Sequence, residues 1–187
     1  MKEANMEWLN QISDSASAHI FYCFDQLEAY IENAISFIAN GIKQDERVLF
    51  VENTRIYPMI LTRLQDQLSA EELAGVHFVN NFDFYWRNGN FHPPTILAHF
   101  KQETHSFTKE NRSFRTWGHI EWGSQEDIIA EIELYEKSVA TVVEEEAAIS
   151  VCAYDASRVS DDLKERLINC HNYLMTDDSI TCLTINN

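Results

Sequence analysis

The chain has 187 residues, of which 45% are hydrophobic and 24% charged, with only 5 glycines and 3 prolines. That composition fits one folded domain with a sizeable core and excludes a linker-divided or low-complexity architecture. Thirty acids against 14 bases leave a formal net charge of −16, a field that repels polyanions, so neither direct nucleic-acid binding nor attachment to an anionic membrane is expected.

Residues 1–18 read as a polar lead-in holding one short amphipathic piece, with Met6, Trp8, Leu9 and Ile12 as its apolar positions. A single domain follows over 19–187. His19 to Phe24 is a compact β-type run, and Asp25 with Glu28 has the spacing of a capping box. Apolar residues at 27, 31, 34, 35 and 38 predict a helix from Leu27 to Ala39, with Gly41 as its C-cap. Arg47–Glu52 is apolar through its centre, as a strand covered on both faces should be.

A helix from about Tyr57 to Leu68 and a short strand at Val76–Val79 come next. Asn80–Pro94 is an aromatic, turn-rich connection, with Phe82, Phe84, Tyr85, Trp86 and Phe91 around Asn88-Gly89-Asn90. Such a loop suits a lid over an apolar ligand, or a satellite cluster beneath a long connection. Then follow a helix over Thr95–Thr108, a strand over Phe114–Trp122, and Ser124 capping a long acidic helix to about Glu145, read as a solvated face. A strand at Ala148–Tyr154, a helix at Ser160–Cys170 and a terminal strand at Ser179–Ile185 complete the chain. Strand and helix alternate five times. The pattern predicts an α/β fold with a mainly parallel sheet, helices on both faces and right-handed crossovers.

Doubly wound sheets place ligands at the first strand-to-helix turn. A phosphate loop there reads GxxxxGK[ST], because glycine amides wrap the phosphates and a lysine reaches them. Phe24-Asp25-Gln26 offers neither glycine nor lysine, and sets an acid where an anion would sit. No nucleotide hydrolysis is expected, and the chain is not read as an enzyme.

The four cysteines, Cys23, Cys152, Cys170 and Cys182, lie in apolar segments without CxxC spacing. Met1 to Ser17 is polar and acid-bearing, unlike a signal peptide, and no apolar run approaches the roughly 18 residues of a membrane span. A cytoplasmic, reducing setting is the expectation.

His19-Ile-Phe-Tyr22, the block Ala34…Gly41…Arg47-Val-Leu-Phe-Val-Glu52, Arg115…Glu121-Trp122, Tyr135-Glu136, Cys152-Ala-Tyr-Asp155 and Cys170-His171 fall in an order that resembles the MEDS domain. The resemblance spans roughly residues 18–180. It implies a RecA/KaiC-like fold that lacks the P-loop, and a sensor of small, hydrocarbon-like molecules. Such domains are often joined to a helix-turn-helix or kinase module; here no output module is expected, so a kinase or transcription regulator is the implied protein partner.

The candidate ligand-binding residues are His19, Tyr22, Phe24, Glu52, Trp86, Phe91, Glu121, Trp122, Tyr154 and Asp155. Tyr22, Phe24, Glu52, Tyr154 and Asp155 stand at or near carboxyl ends of strands and are expected around one cavity, with Trp86 or Phe91 covering it. His19 is favoured by the resemblance but opens its strand at the amino end. Glu52 is a candidate acceptor for a ligand hydroxyl or for Arg115. Cys170-His171, with Cys152, His19 and His119, has the residue types of a zinc site; neighbouring residues on a helix diverge by about 100°, however, so one ion does not easily use both. No metal, cofactor or catalytic set is assigned.

Overall fold

The computed structural model describes residue 12, residues 17–110 and residues 112–183. In chain order the elements are β1 (Ala18–Phe24), α1 (Leu27–Lys43), β2 (Arg47–Glu52), α2 (Tyr57–Gln65), α3 (Ala70–Leu73), β3 (Val76–Asn80), α4 (Asn81–Tyr85), α5 (Pro93–Lys109), β4 (Phe114–His119), α6 (Ile128–Glu145), β5 (Ile149–Asp155), a 3-10 turn (Ala156–Arg158), α7 (Asp161–Cys170), β6 (Tyr173–Met175) and β7 (Ile180–Cys182). Of the amphipathic piece expected near the start, Met6, Trp8 and Leu9 lie outside the described residues; Ile12 is helical and buried.

The strands form one sheet in the order β3-β2-β4-β5-β1-β6-β7. Every neighbouring pair is parallel except β6–β7, which is antiparallel. Strand residues alternate between two cores. Ile20, Tyr22, Phe24, Val48, Phe50 and Trp117 face α1 and α2, where Tyr30, Ala34, Phe37, Ile38, Ile60 and Leu64 pack. Phe21, Leu49, Val51, Cys152 and Tyr154 face α5, α6 and α7, against Phe100, Ile132, Tyr135, Val139, Leu163 and Leu167. A parallel sheet covered on both faces explains the nearly unbroken apolar runs of β1, β2 and β5. Each large side chain so buried contributes about 1.5–3 kcal/mol.

Several boundaries differ from the sequence reading, each for a local reason. Asp25 does not cap α1; the N-cap is Gln26, whose side chain makes no cap hydrogen bond. The carboxylate of Asp177, from the β6–β7 turn, instead accepts from the Asp25 and Gln26 amides at 3.2 and 2.8 Å. Gly41 does not end α1 but lies inside it, where a Cβ would fall 2.6 Å from Arg115 Nε. Ser124 does not cap α6, because Asp127 takes a left-handed conformation (φ 59°) and the helix begins only after it. The Asn80–Pro94 connection contains α4. β6 went unanticipated because three residues carry no readable period. Among the described residues, no helix is long and apolar enough to cross a membrane.

Candidate functional site

The expected single cavity does not form. Tyr22 pairs in register with Ala153, and Cys23 with Tyr154. Paired residues share a face and successive residues alternate, so Tyr22 and Tyr154 point to opposite sides of the sheet. Tyr22 donates to Asp177 Oδ1 at 2.8 Å and accepts from Asn33 at 3.0 Å. Asp155 turns back to accept from the Ser157 amide and hydroxyl, at 2.9 and 2.6 Å, and so caps the 3-10 turn. Phe91 covers nothing: it is fully buried, stacked 6.0 Å from Tyr85 and edge-on to Tyr135. What remains separates into three neighbourhoods.

The first surrounds Glu52, which has no exposed surface. One of its oxygens accepts from His119 Nδ1 at 2.7 Å and from the Asn53 amide at 2.7 Å; the other accepts from Tyr30 Oη. Trp117 Nε1 in turn donates to Tyr30 Oη at 2.9 Å. Phe24 closes the group, its ring 4.4 Å from Tyr30 and 5.4 Å from His119. Burial opposes protonation of His119, but Glu52, with help from Glu121 and Asp155, outweighs it and raises the imidazole above its ordinary range. Glu52 does not meet Arg115, which sits near the amino end of β4 and pairs with Glu46, Asn40 Oδ1 and the Phe37 carbonyl.

The second is an open crevice of about 360 Å³ beyond the end of β4, lined by Asn81, Phe82, Trp86, Glu121, Trp122, Gly123 and Arg158. Three of the expected residues, Trp86, Glu121 and Trp122, meet here. Trp86 Nε1 donates to the Glu121 carbonyl at 3.1 Å. The Glu121 carboxylate accepts from Asn81 at 2.7 Å and Asn53 at 3.0 Å. Burial pushes that carboxyl up, yet His119, the two amides and Arg158 together hold it below its usual range. The Arg158 guanidinium lies over the Trp122 ring, 4.5 Å from its centroid, and donates to the Trp122 carbonyl. Two indoles, a fixed carboxylate and a guanidinium make a surface for a small, partly apolar molecule with a polar end. Arg158 lacked a sequence signal, since nothing in a turn after a strand marks a cation as folded over a distant indole.

The third lies on the α6 side of the sheet. His19, Glu136, Cys152 and His171 are all buried, with one donor atom of each within 4.8 Å of the others. Glu136 Oε2 is 3.1 Å from His19 Nε2 and 3.4 Å from His171 Nε2, the latter without hydrogen-bond geometry. Cys152 Sγ is 3.4 Å from His19 Nε2, and Tyr154 Oη donates to Glu136 Oε1. Burial works against the charge of Glu136, but His171 and His19 prevail and hold the carboxyl well below the usual carboxylate range. Cys170 is not in this group and His119 belongs to the opposite face, so of the five residues weighed for a metal, His19, Cys152 and His171 come together here. Glu136 was missed, though it left a signal: it falls at the buried phase of Ile132, Tyr135, Val139 and Val143, where an acid needs a partner.

These features define a parallel α/β domain whose first turn has no phosphate loop and holds one of its own carboxylates there. Residues 18–172 match the model of MEDS, the MEthanogen/methylotroph, DcmR Sensory domain. The chain belongs to that family, and its role is of the sensory, regulatory kind. No curated protein matches the chain. Among solved structures, a protein from Pyrococcus horikoshii OT3 superposes with a TM-score of 0.56 at 10% identity, over 97% of this chain and 92% of that one, which shows likeness of fold alone. A unique ATP synthase subunit, NeqB, from Nanoarchaeum equitans is similar over 86% of this chain and 45% of its own, at 8% identity and a TM-score of 0.49.

Proposed function

We propose that this domain is a non-catalytic sensor that binds a small, partly apolar molecule in the Trp86–Trp122 crevice and signals through a partner protein. The crevice carries the reading: aromatic walls exclude water from the apolar part, while Glu121 and Arg158 orient a polar end. Burying apolar ligand surface there gives about 25 cal/mol per Å². Phe82, 66% exposed at the rim, offers a change in the crevice a direct route to the surface and to a kinase or transcription regulator. The β1–α1 turn argues against nucleotide. Its free amides, which would otherwise meet a phosphate, are taken by Asp177, and a net charge of −16 opposes a polyanion.

Titration of the purified chain with short alcohols, alkylamines and haloalkanes, read by tryptophan fluorescence, tests the proposal. At least one member of the panel is expected to saturate, with affinity falling about 5–30-fold in Trp122→Ala, the loss of a ring contact worth about 1–2 kcal/mol. Magnesium-dependent ATP binding or turnover, or an undiminished response in Trp122→Ala, would overturn it.

A further inference from the structure

The buried His19–Glu136–Cys152–His171 cluster is more than a hydrogen-bond network, because its protons do not add up. His19 Nδ1 lies 3.0 Å from the Cys170 carbonyl and His171 Nδ1 lies 2.6 Å from the Leu167 carbonyl. A carbonyl only accepts, so each Nδ1 carries a hydrogen, and a ring without a second proton turns its Nε2 lone pair inward. Both lone pairs then confront the same Glu136 oxygen, itself only an acceptor. The two rings stack at 3.8 Å and do not bond to each other. Among the described residues, His171 Nε2 has no hydrogen-bond partner although the residue is 2% exposed. A cation at the point where these atoms converge, carried by an imidazole or supplied as a metal ion, relieves the meeting of acceptors.

We infer that His19 Nε2, His171 Nε2, Glu136 Oε2 and Cys152 Sγ form a tetrahedral site for a divalent transition metal of the zinc type. Bonds of about 2.0–2.3 Å in a tetrahedron set neighbouring donors about 3.3–3.6 Å apart. Three of the six separations, 3.1, 3.4 and 3.4 Å, are close to this spacing and all six lie within 4.8 Å; one of the two stacked rings must tilt for both lone pairs to meet the ion. Three of the four ligands are already held from behind: the imidazoles by backbone carbonyls, and Glu136 by Tyr154 through its other oxygen. Such outer contacts fix ligand orientation in metal centres. On binding, the Cys152 thiol yields its proton to water, and thiolate plus carboxylate balance the dication in a buried place. Two imidazoles, a thiolate and a carboxylate favour zinc over magnesium or calcium, which take oxygen donors.

The ligands come from β1, β5, α6 and the end of α7, so the ion would tie two strands of the sheet to two helices covering one face. Four protein donors leave no open position, the mark of a structural rather than a catalytic centre. A surface groove of about 760 Å³ is bordered by Cys170, His171 and Asn172, so it reaches one of the four ligands. The inference does not depend on the ligand crevice.

Cobalt titration of the full chain, purified without a metal-affinity tag and stripped with a chelator, tests the site, beside elemental analysis of the chain grown with zinc. One equivalent of metal per chain is expected, with the visible bands of tetrahedral cobalt and a sulfur-to-cobalt charge-transfer band. Cys152→Ser should abolish the charge-transfer band, Tyr154→Phe should weaken affinity about 10–100-fold, and His77→Asn, at the separate His77–Glu103 surface pair, should change nothing. Circular dichroism establishes that each variant is folded. Absence of stoichiometric uptake by the folded wild-type chain, octahedral cobalt without the sulfur band, or uptake lost in His77→Asn but kept in Cys152→Ser would overturn the site.

Discussion

Glu52 ends a strand that is apolar from Val48 to Val51, and both of its oxygens are used by side chains that the sequence places 22 and 67 residues away, Tyr30 and His119. That distance is why the acid was legible as a candidate while its partners were not. Removing one member of such a buried pair strands the other, so Glu52→Ala is expected to cost about 3–5 kcal/mol in urea unfolding. His119 supplies a pH signature. Its folded pKa is raised, so its contribution is complete below the unfolded value of about 6.5 and fades as pH rises through the folded value. The stability gap between wild type and His119→Gln should therefore be widest near about pH 6 and narrow toward about pH 9. A gap constant across that range would contradict the assignment.

Helix α1 shows how an element is shaped by a neighbour that spacing cannot reveal. Its apolar period was readable from Leu27 onward, and glycine at position 41 read as a terminator. In the fold, Gly41 is the gap through which Arg115 passes; the guanidinium is anchored by Glu46, Asn40 and the Phe37 carbonyl and lies over the Phe37 ring. An added methyl would meet a side chain that cannot swing aside. Overpacking of that kind costs about 1–3 kcal/mol, against about 1 kcal/mol that alanine returns in helix propensity. With Arg115 so firmly held, Gly41→Ala should be destabilising by up to about 2 kcal/mol, read as a lowered midpoint of urea unfolding at unchanged slope. A gain in stability would show that Arg115 relaxes freely.

For the molecule as a whole, the acid surplus acts as one field. A net charge of −16 on a chain of 187 residues repels itself, and scattered surface pairs such as Arg63 with Glu28 and Glu32 offset little of it. Salt shortens the screening length from about 30 Å at 0.01 M to about 8 Å at 0.15 M. Scanning calorimetry at about pH 7 should show Tm rising with added salt over that range; a fall would mean that attractive pairs dominate. The same surplus, legible in the sequence, sets the expectation against nucleic acid that underlies the proposed function.

Alternation of apolar runs and helical periods sufficed for the α/β class, the mainly parallel sheet and the two covered faces, because burial imposes those patterns residue by residue along the chain. The ordered motifs from His19 to His171 sufficed for the family. The sites were decided elsewhere. The register that sets Tyr22 beside Ala153 sends Tyr154 to the opposite face and breaks the expected cavity in two. The end of α7 turns His171, but not Cys170, toward His19 and Glu136. Asp177 reaches back across more than 150 residues to hold the two amides of the turn before the first helix. A side chain's element follows from its near neighbours, but its partner follows from strand order and helix packing, and those exist only once the chain has closed on itself.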